Sequence, residues 1–479
     1  MSQIGYLKAS KPISFFLLIG MLFYMAISLL SSSIPFFWDM VEFSRISQFY
    51  YSGNFKQLIV PEIIDSGHPP LFGIYLAVCW KIFGKSLFIY HLSILPFMLG
   101  VFWQYYELAK KWISPRSIPL ALLLLWIEPT YLTQCILGSM DILIVYFFLL
   151  AINSLLEKKL MLYALSLVFL SLLSLRGFLI ILPIGLYHLL SNFEYKINKT
   201  GFKTNRINSS LIWPYIPAFV SIILWGTYHW HQTGWAFSPP SRWEHRSLAS
   251  PERIFRNSIY IIWKMADFGR IFLWAIFLFA CTKKELFRKI SLSWLWLFLC
   301  CLFFFFISMA PLTNPIGHRY FMIIYLLLSI GISEIIMSFS WNKSIWLTTC
   351  SALLLFSGNF ILYPEKYGNG WDSSLKCLPY FKLKEQMHVY IENNDIDTHK
   401  TGSAFPLRAN PSYTHLLDKS YGIGDKDSIP FQNYSYILQS NVCNLFSEKQ
   451  IQLLHSKKYQ ELARYQSGQV YVSLYKKLD

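Results

Sequence analysis

Runs of about 17–25 consecutive apolar residues recur through three quarters of this chain, and each is long enough to cross a hydrocarbon core of ~30 Å. Such runs leave few folds open. In lipid every backbone N–H and C=O must be satisfied inside the segment, so the runs must be helices that pack on one another. The runs are Ile13–Ile34, Leu87–Glu107, Ile118–Gln134, Asp141–Leu156, Leu160–Leu175, Gly177–Phe193, Leu211–Trp230, Ile259–Cys281, Leu292–Ala310, Tyr320–Phe339 and Ser344–Tyr363. They predict about eleven spans. Only 14% of the 479 residues are charged and 54% are hydrophobic, against about a quarter charged in a soluble protein.

The formal charge of +16 is a topology signal rather than a nucleic-acid footprint. Lysines and arginines cluster in short loops: Lys110, Lys111 and Arg116; Lys158 and Lys159; Lys196, Lys199, Lys203 and Arg206; Lys283, Lys284, Arg288 and Lys289; and Lys343. Basic loops stay cytoplasmic. All five fall on one side only if residues 69–85 do not cross. The segment opened by His68-Pro69-Pro70 is therefore expected to be an interfacial or re-entrant helix on the outer face. The first run, preceded by Lys8 and Lys11 and lacking an A-x-A-like site, reads as an uncleaved signal anchor with its N-terminus inside.

This parity gives an integral plasma (inner) membrane protein with two parts. Residues 1–363 form an all-α polytopic bundle with outer segments at 35–68, 69–85 and 231–258. Residues 364–479, far richer in charge, form a small extracytoplasmic α/β domain. Within it "LKEQMHVYIENND" reads as helix, "YSYILQSNV" as strand, and "YQELARYQSGQVYVSLYKK" as two strands around a Ser-Gly turn. Cys377 and Cys443 both lie there, where a disulfide is permitted and two thiols are equally possible. No internal repeat is visible, which disfavours a transporter built from duplicated halves.

Ionisable side chains near lipid are costly and mark function. Here they gather at the outer ends of spans: Asp39 and Glu42 in "PFFWDMVEFSRI", Glu62, Asp65 and His68, Asp141 in "QCILGSMDILI", Arg176 in "LSLRGFLI", and His318 and Arg319 in "NPIGHRYF". Plain readings exist for each. Asp39 and Asp141 suit helix caps, Glu42 suits a partner for Arg45, and terminal arginines can anchor spans by snorkelling. His68 could satisfy loop backbone. The stretch 229–257 adds Arg242, His245 and Arg246, placed to meet phosphate or simply to order a loop. Lys264, Asp267 and Arg270 recur at helical spacing and suit a mutually neutralised cluster inside the bundle.

The pieces "WDMVEFSRISQFYYSGNF", "GHPPLFGIYLAVCWKIFG", "SMDILIVYFFLLA", "LRGFLIILP" and "HRYFMII" occur in this order. In that order the chain resembles polytopic glycosyltransferases of the GT-C fold, in the branch of protein O-mannosyltransferases and lipid A aminoarabinose transferases. The resemblance is good over the first half, thin over the later spans and nearly absent in the tail. It implies transfer of a sugar, with inversion, from a polyprenyl-phosphate carrier to an extracytoplasmic lipid, glycan or protein acceptor. It assigns the first-loop Asp39 as base, with Asp141 as a second acid. A phosphate leaving group needs fixed cations rather than a general acid, and Arg176, Arg319 and His318 meet that need by type and side. Glu42, Asp65, His68, Arg242, His245 and Arg246 complete the candidate substrate contacts. Related enzymes can carry an acid immediately before Pro-Pro; here Gly67 and His68 stand there, which leaves the role of Asp65 open. No metal-type Cys/His spacing occurs, although the outer acids could hold a divalent cation. A lipid or polysaccharide transporter and an O-antigen ligase or polymerase are the competing readings.

Overall fold

The computed structural model describes residues 11–200, 211–240, 247–363, 371–418, 422–425, 431–442 and 445–478. Sixteen helices precede residue 364 among the described residues: α1 (Lys11–Leu30), α2 (Asp39–Ser52), α3 (Leu71–Phe83), α4 (Leu87–Trp112), α5 (Ile118–Ile127), α6 (Pro129–Ile136), α7 (Asp141–Leu156), α8 (Leu160–Leu173), α9 (Leu175–Thr200), α10 (Ile216–Thr233), α11 (Pro251–Ala266), α12 (Arg270–Thr282), α13 (Lys284–Phe287), α14 (Leu292–Met309), α15 (Met322–Met337) and α16 (Trp341–Ser357).

Two of the expected spans are broken, each for a local reason. Between α5 and α6 the axis bends by 56°. Pro129 excludes the helical conformation at Glu128, whose ψ is 114°, because its ring clashes with the preceding residue. The Glu128 carboxylate then caps α6 by accepting from the Tyr131 N–H at 2.5 Å. Between α11 and α12 the bend is 94°. Gly269 sits there at φ +83° against the backbone of Leu354, where a side chain would collide. Of the described helices, four are long and apolar enough to cross a membrane, or up to six if each bent pair is one span. Others, such as α7 with 16 residues and α8 with 14, are apolar but rise only about 24 and 21 Å. The eleven apolar runs thus resolve into helices of unequal reach, and length alone does not fix the number of crossings. Helix α3, with 13 residues, rises about 20 Å and packs on α2 and α4.

Among the described residues, the basic loops after α4 and α7 meet the start of α14 and the end of α15 at one end of the bundle. Lys111 at the end of α4 pairs with Glu157 at the end of α7 at 2.7 Å, and Lys159 pairs with the same carboxylate at 2.8 Å. The Trp112 indole donates to Ser293 at the start of α14. Near the end of α15, Glu334 accepts from the Ser114 backbone and from the hydroxyls of Ser114 and Ser117. Asp141 starts α7 and Arg319 precedes α15, so both lie at the opposite end.

The C-terminal part holds α17 (Pro379–Asn393), β1 (Thr401–Ser403), α18 (Pro411–Thr414), β2 (Gly424–Asp425), β3 (Tyr436–Ser440), α19 (Glu448–Leu454), β4 (Tyr459–Ser467) and β5 (Val470–Lys477). The described strands form one sheet in the order β2-β1-β3-β5-β4. β1 is parallel to β2 and β3, and β5 is antiparallel to β3 and β4. The β4–β5 turn uses Gly468 at φ +59°, as the Ser-Gly pair predicts. Alternating residues divide the faces. Leu438, Val470, Val472 and Leu474 pack with Leu383, Met387 and Ile391 of α17, while Ile437 and Tyr475 pack with Phe446, Leu454 and Tyr459. The first of these clusters also contains Phe37 and Leu137 of the bundle. Helix α2 is hydrogen-bonded to the domain through Ser44 to the Tyr413 carbonyl and Gln48 to the Ser412 carbonyl. Cys377 is buried; Cys443 lies outside the described residues.

Burial pushes His388 down to about 3 and His415 down to about 4, each lowered further by neighbouring Lys384. An unfolded imidazole titrates near 6.5. Above that pH both states are neutral and the pair contributes nothing. As pH falls from 6.5 toward 4, the unfolded chain binds protons that the folded domain refuses. The expected cost is about 2 kcal/mol per imidazole at pH 5. Hydrogen exchange of α17 amides, corrected for intrinsic pH dependence, should lose about 30-fold or more protection between pH 7.5 and 5; unchanged protection would contradict this.

Candidate active site

Side chains from four distant parts of the chain meet where several helices begin. Asp39 is the first residue of α2, Asp141 the first of α7, Arg176 the second of α9, and Arg319 lies in a 3-10 turn (His318–Phe321) that leads into α15. Helix N-termini carry a partial positive charge that favours anions, which suits the two aspartates and makes the two arginines an added cationic investment.

Arg319 is the hub. Its Nη2 donates to Asp39, its Nη1 donates to Asp372 at 2.7 Å, and its Nε lies 3.4 Å from Asp141. Arg176 donates to the other oxygen of Asp141. The Tyr320 ring lies between the arginines, 4.2 Å from the Arg176 guanidinium carbon and 5.4 Å from that of Arg319. Two cations thus stand against three carboxylates among the described residues. Asp141 and Asp372 are buried, whereas the Asp39 side chain is 50% exposed. Asp39 is the carboxylate of this set that an incoming molecule can reach.

A narrow cleft of about 10 Å³ opens beside the hub, lined by Asp141, Arg176, Arg319 and Tyr320 at its polar end and by Ile144, Val145, Ile180 and Ile323 along its wall. Two buried guanidinium nitrogens of the lining residues make no hydrogen bond: Arg176 Nη1, and Arg319 Nε, which keeps only its longer ion pair with Asp141. Leaving buried donors unmet is costly, and an anion's oxygens would satisfy them. Asp39, Asp141, Arg176 and Arg319, four of the residues singled out from the sequence, are therefore brought together.

The remaining candidates fall elsewhere. Glu42 lies half-buried one turn along α2. Asp65 is buried and bonds to none of the hub's side chains: it accepts from the Gly67 N–H at 2.7 Å and meets the His229 Nε2 at 2.8 Å. It ties the first loop to the end of α10. The His68 ring stacks on Phe43 at 6.4 Å. His318, expected beside Arg319 on a phosphate, turns the opposite way. It is fully buried, with its Nε2 2.6 Å from Asp267. The reason is geometric: successive side chains of a 3-10 turn point about 120° apart. Arg242, His245 and Arg246 lie outside the described residues.

Lys264, Asp267 and Arg270 were expected to neutralise one another, but the main partner of Arg270 is Glu128, bound through Nε at 2.8 Å and also through Nη2. Asp267 accepts from Arg270 at 3.2 Å. Asp372 was missed. It stands in "GNGWDSS" at the start of the charged tail, where an acid carries no signal in itself. Among the described residues no group of three His, Cys, Asp or Glu is placed to hold a metal ion, and Asp39, Asp141 and Asp372 direct their oxygens to arginine instead.

Both parts of the molecule together have the GT-C fold, a helical membrane bundle carrying a small α/β domain. Two crystal structures of ArnT from Cupriavidus metallidurans share it over nearly their whole length. The one bound to undecaprenyl phosphate superposes with a TM-score of 0.55 at 12% identity, over 97% of each chain. The apo form gives 0.55 at 11% identity, over 97% of this chain and 98% of that one. No protein-family model matches the sequence, and no curated protein matches it.

Proposed function

We propose that the protein is a membrane glycosyltransferase that moves a sugar from a polyprenyl-phosphate carrier to an extracytoplasmic acceptor, with inversion. The observation that carries this reading is one half-exposed carboxylate, Asp39, held by an arginine hub beside a cleft with two unmet guanidinium donors and an apolar wall. A lipid phosphate matches both ends of that cleft. With the basic loops cytoplasmic, the hub faces outward. The relative bound to undecaprenyl phosphate supports the same ligand class.

In the proposed reaction Asp39 accepts the proton of the acceptor hydroxyl or amine. The acceptor atom attacks the anomeric carbon from the face opposite the phosphate. The bond between that carbon and the phosphate oxygen breaks, and its electron pair leaves with the polyprenyl phosphate. Arg176 and Arg319 stabilise the charge that develops there. Arg319 also orients Asp39 through their ion pair.

Incubating purified protein with a panel of polyprenyl-phosphate sugars and following polyprenyl-phosphate release tests the reading; no release from any donor with membrane extract as acceptor source would overturn it. On the active donor, Arg176→Lys keeps the charge but loses the fork. It is expected to raise donor KM about 10- to 100-fold, the worth of one charge-assisted hydrogen bond. An unchanged KM would remove Arg176 from the phosphate site.

A further inference from the structure

Behind the hub lies a second polar network that the proposed reaction does not use. Arg270, 1% exposed, donates through Nε to Glu128 at 2.8 Å and through Nη2 to Thr130 at 2.6 Å. Its guanidinium carbon stands 3.7 Å from the Tyr325 ring centre. Through Nη1 it reaches Asp267, which also binds His318 and accepts from the Tyr363 hydroxyl. These residues come from both helix breaks, from the turn carrying Arg319, and from the segment just before the C-terminal domain.

That placement gives the network leverage on the site. The His318–Phe321 turn has no side-chain cap of its own, and four residues of 3-10 helix fix their direction weakly. His318 anchors the turn on one side, and Arg319 leaves it on the other. A second arm runs from the same helix break: Glu128 caps α6, Gln134 of α6 donates to the Asp372 carbonyl, and Asp372 accepts from Arg319. Asn359 donates to the Ile127 carbonyl at 3.3 Å and accepts from Ser374 at 2.9 Å through its own carbonyl, tying this break to the segment that carries Asp372. Both arms end on one guanidinium.

We propose that the Glu128–Arg270–Asp267–His318 network is a positioning device for the transfer site: it sets where Arg319 stands and, through Arg319, where Asp39 points. His318 and Tyr363 are positioning residues that touch no substrate. The proposal rests on the glycosyltransferase reading, and a displacement of about 1 Å in such a site can cost 10²-fold in rate.

The test compares His318→Leu, His318→Gln and Tyr363→Phe in full-length protein purified in lipid nanodiscs, with a polyprenyl-phosphate sugar that wild type turns over. His318→Leu removes the bond to Asp267. It is expected to lower kcat about 10- to 100-fold per folded molecule, with a smaller rise in donor KM, since Arg319 shifts while Arg176 still holds the phosphate. His318→Gln can still place a donor where Nε2 stood, and should recover kcat to within a few-fold of wild type. Tyr363→Phe deletes one hydroxyl without changing shape and should lower kcat about 3- to 10-fold, a fraction of a full displacement; it decides the matter should His318→Leu fail to fold. A structural role alone would lower yield and melting temperature but leave kcat per folded molecule unchanged. Wild-type kcat in both His318→Leu and Tyr363→Phe, or a Gln variant as impaired as the Leu variant, overturns the proposal. No turnover by wild type would instead overturn the glycosyltransferase reading itself.

Discussion

Asp39→Asn is expected to lower kcat for sugar transfer by about 10²–10⁴-fold, the usual worth of a positioned general base, with donor KM within a few-fold of wild type. The substitution is isosteric, and the side chain is half exposed. Asparagine can still accept a hydrogen bond from Arg319 through its amide oxygen, so the protein should insert, fold and bind donor normally. What it loses is proton affinity. The measurement is steady-state release of polyprenyl phosphate with saturating donor and acceptor. A variant that keeps kcat within tenfold of wild type would show that Asp39 only closes the arginine hub, and that the acceptor is deprotonated elsewhere.

Arg319→Ala carries the second large effect, and it falls on stability as well as rate. Asp372 and Asp141 are nearly as buried as Arg319 itself. Removing the cation leaves both with a lost partner, and breaking a buried pair from one side costs about 3–5 kcal/mol. A clear drop in thermal midpoint should accompany a loss in kcat of at least ~10²-fold. Arg319→Lys should rescue little of either, because one ammonium cannot address three carboxylates that lie in different directions from one planar fork. Full stability in the alanine variant would mean that Asp141 and Asp372 find other partners.

The residues of this hub differ in how they announce themselves. Asp39, Asp141, Arg176 and Arg319 border long apolar runs, where an ionisable group is expensive and therefore conspicuous. The same reasoning cannot single out Asp372, which is one acid among many in a solvated tail and matters only because the chain returns there to the bundle. His318 shows the opposite error. Adjacency to Arg319 suggested a shared role, but the turn that holds both sends them apart. The break at Glu128 was readable from Pro129, yet the apolar run continues across it and masks it. The partnership of Glu128 with Arg270, 142 residues away, is a tertiary fact without local trace. In the tail, by contrast, the α17 helix follows from its helical pattern and the β4–β5 hairpin from two strand-like runs around one glycine, because those signals are local.

The account depends on a lipid-borne phosphate settling between Arg176 and Arg319 within reach of Asp39. A cryo-EM structure of the protein in nanodiscs loaded with undecaprenyl phosphate tests this most directly. Phosphate density should lie in the cleft at hydrogen-bond distance from Arg176 Nη1, with the isoprenoid chain running along Ile144, Val145, Ile180 and Ile323. Density for the headgroup at the end of the bundle that carries Lys111 and Glu157, or at a site remote from both arginines, would contradict it.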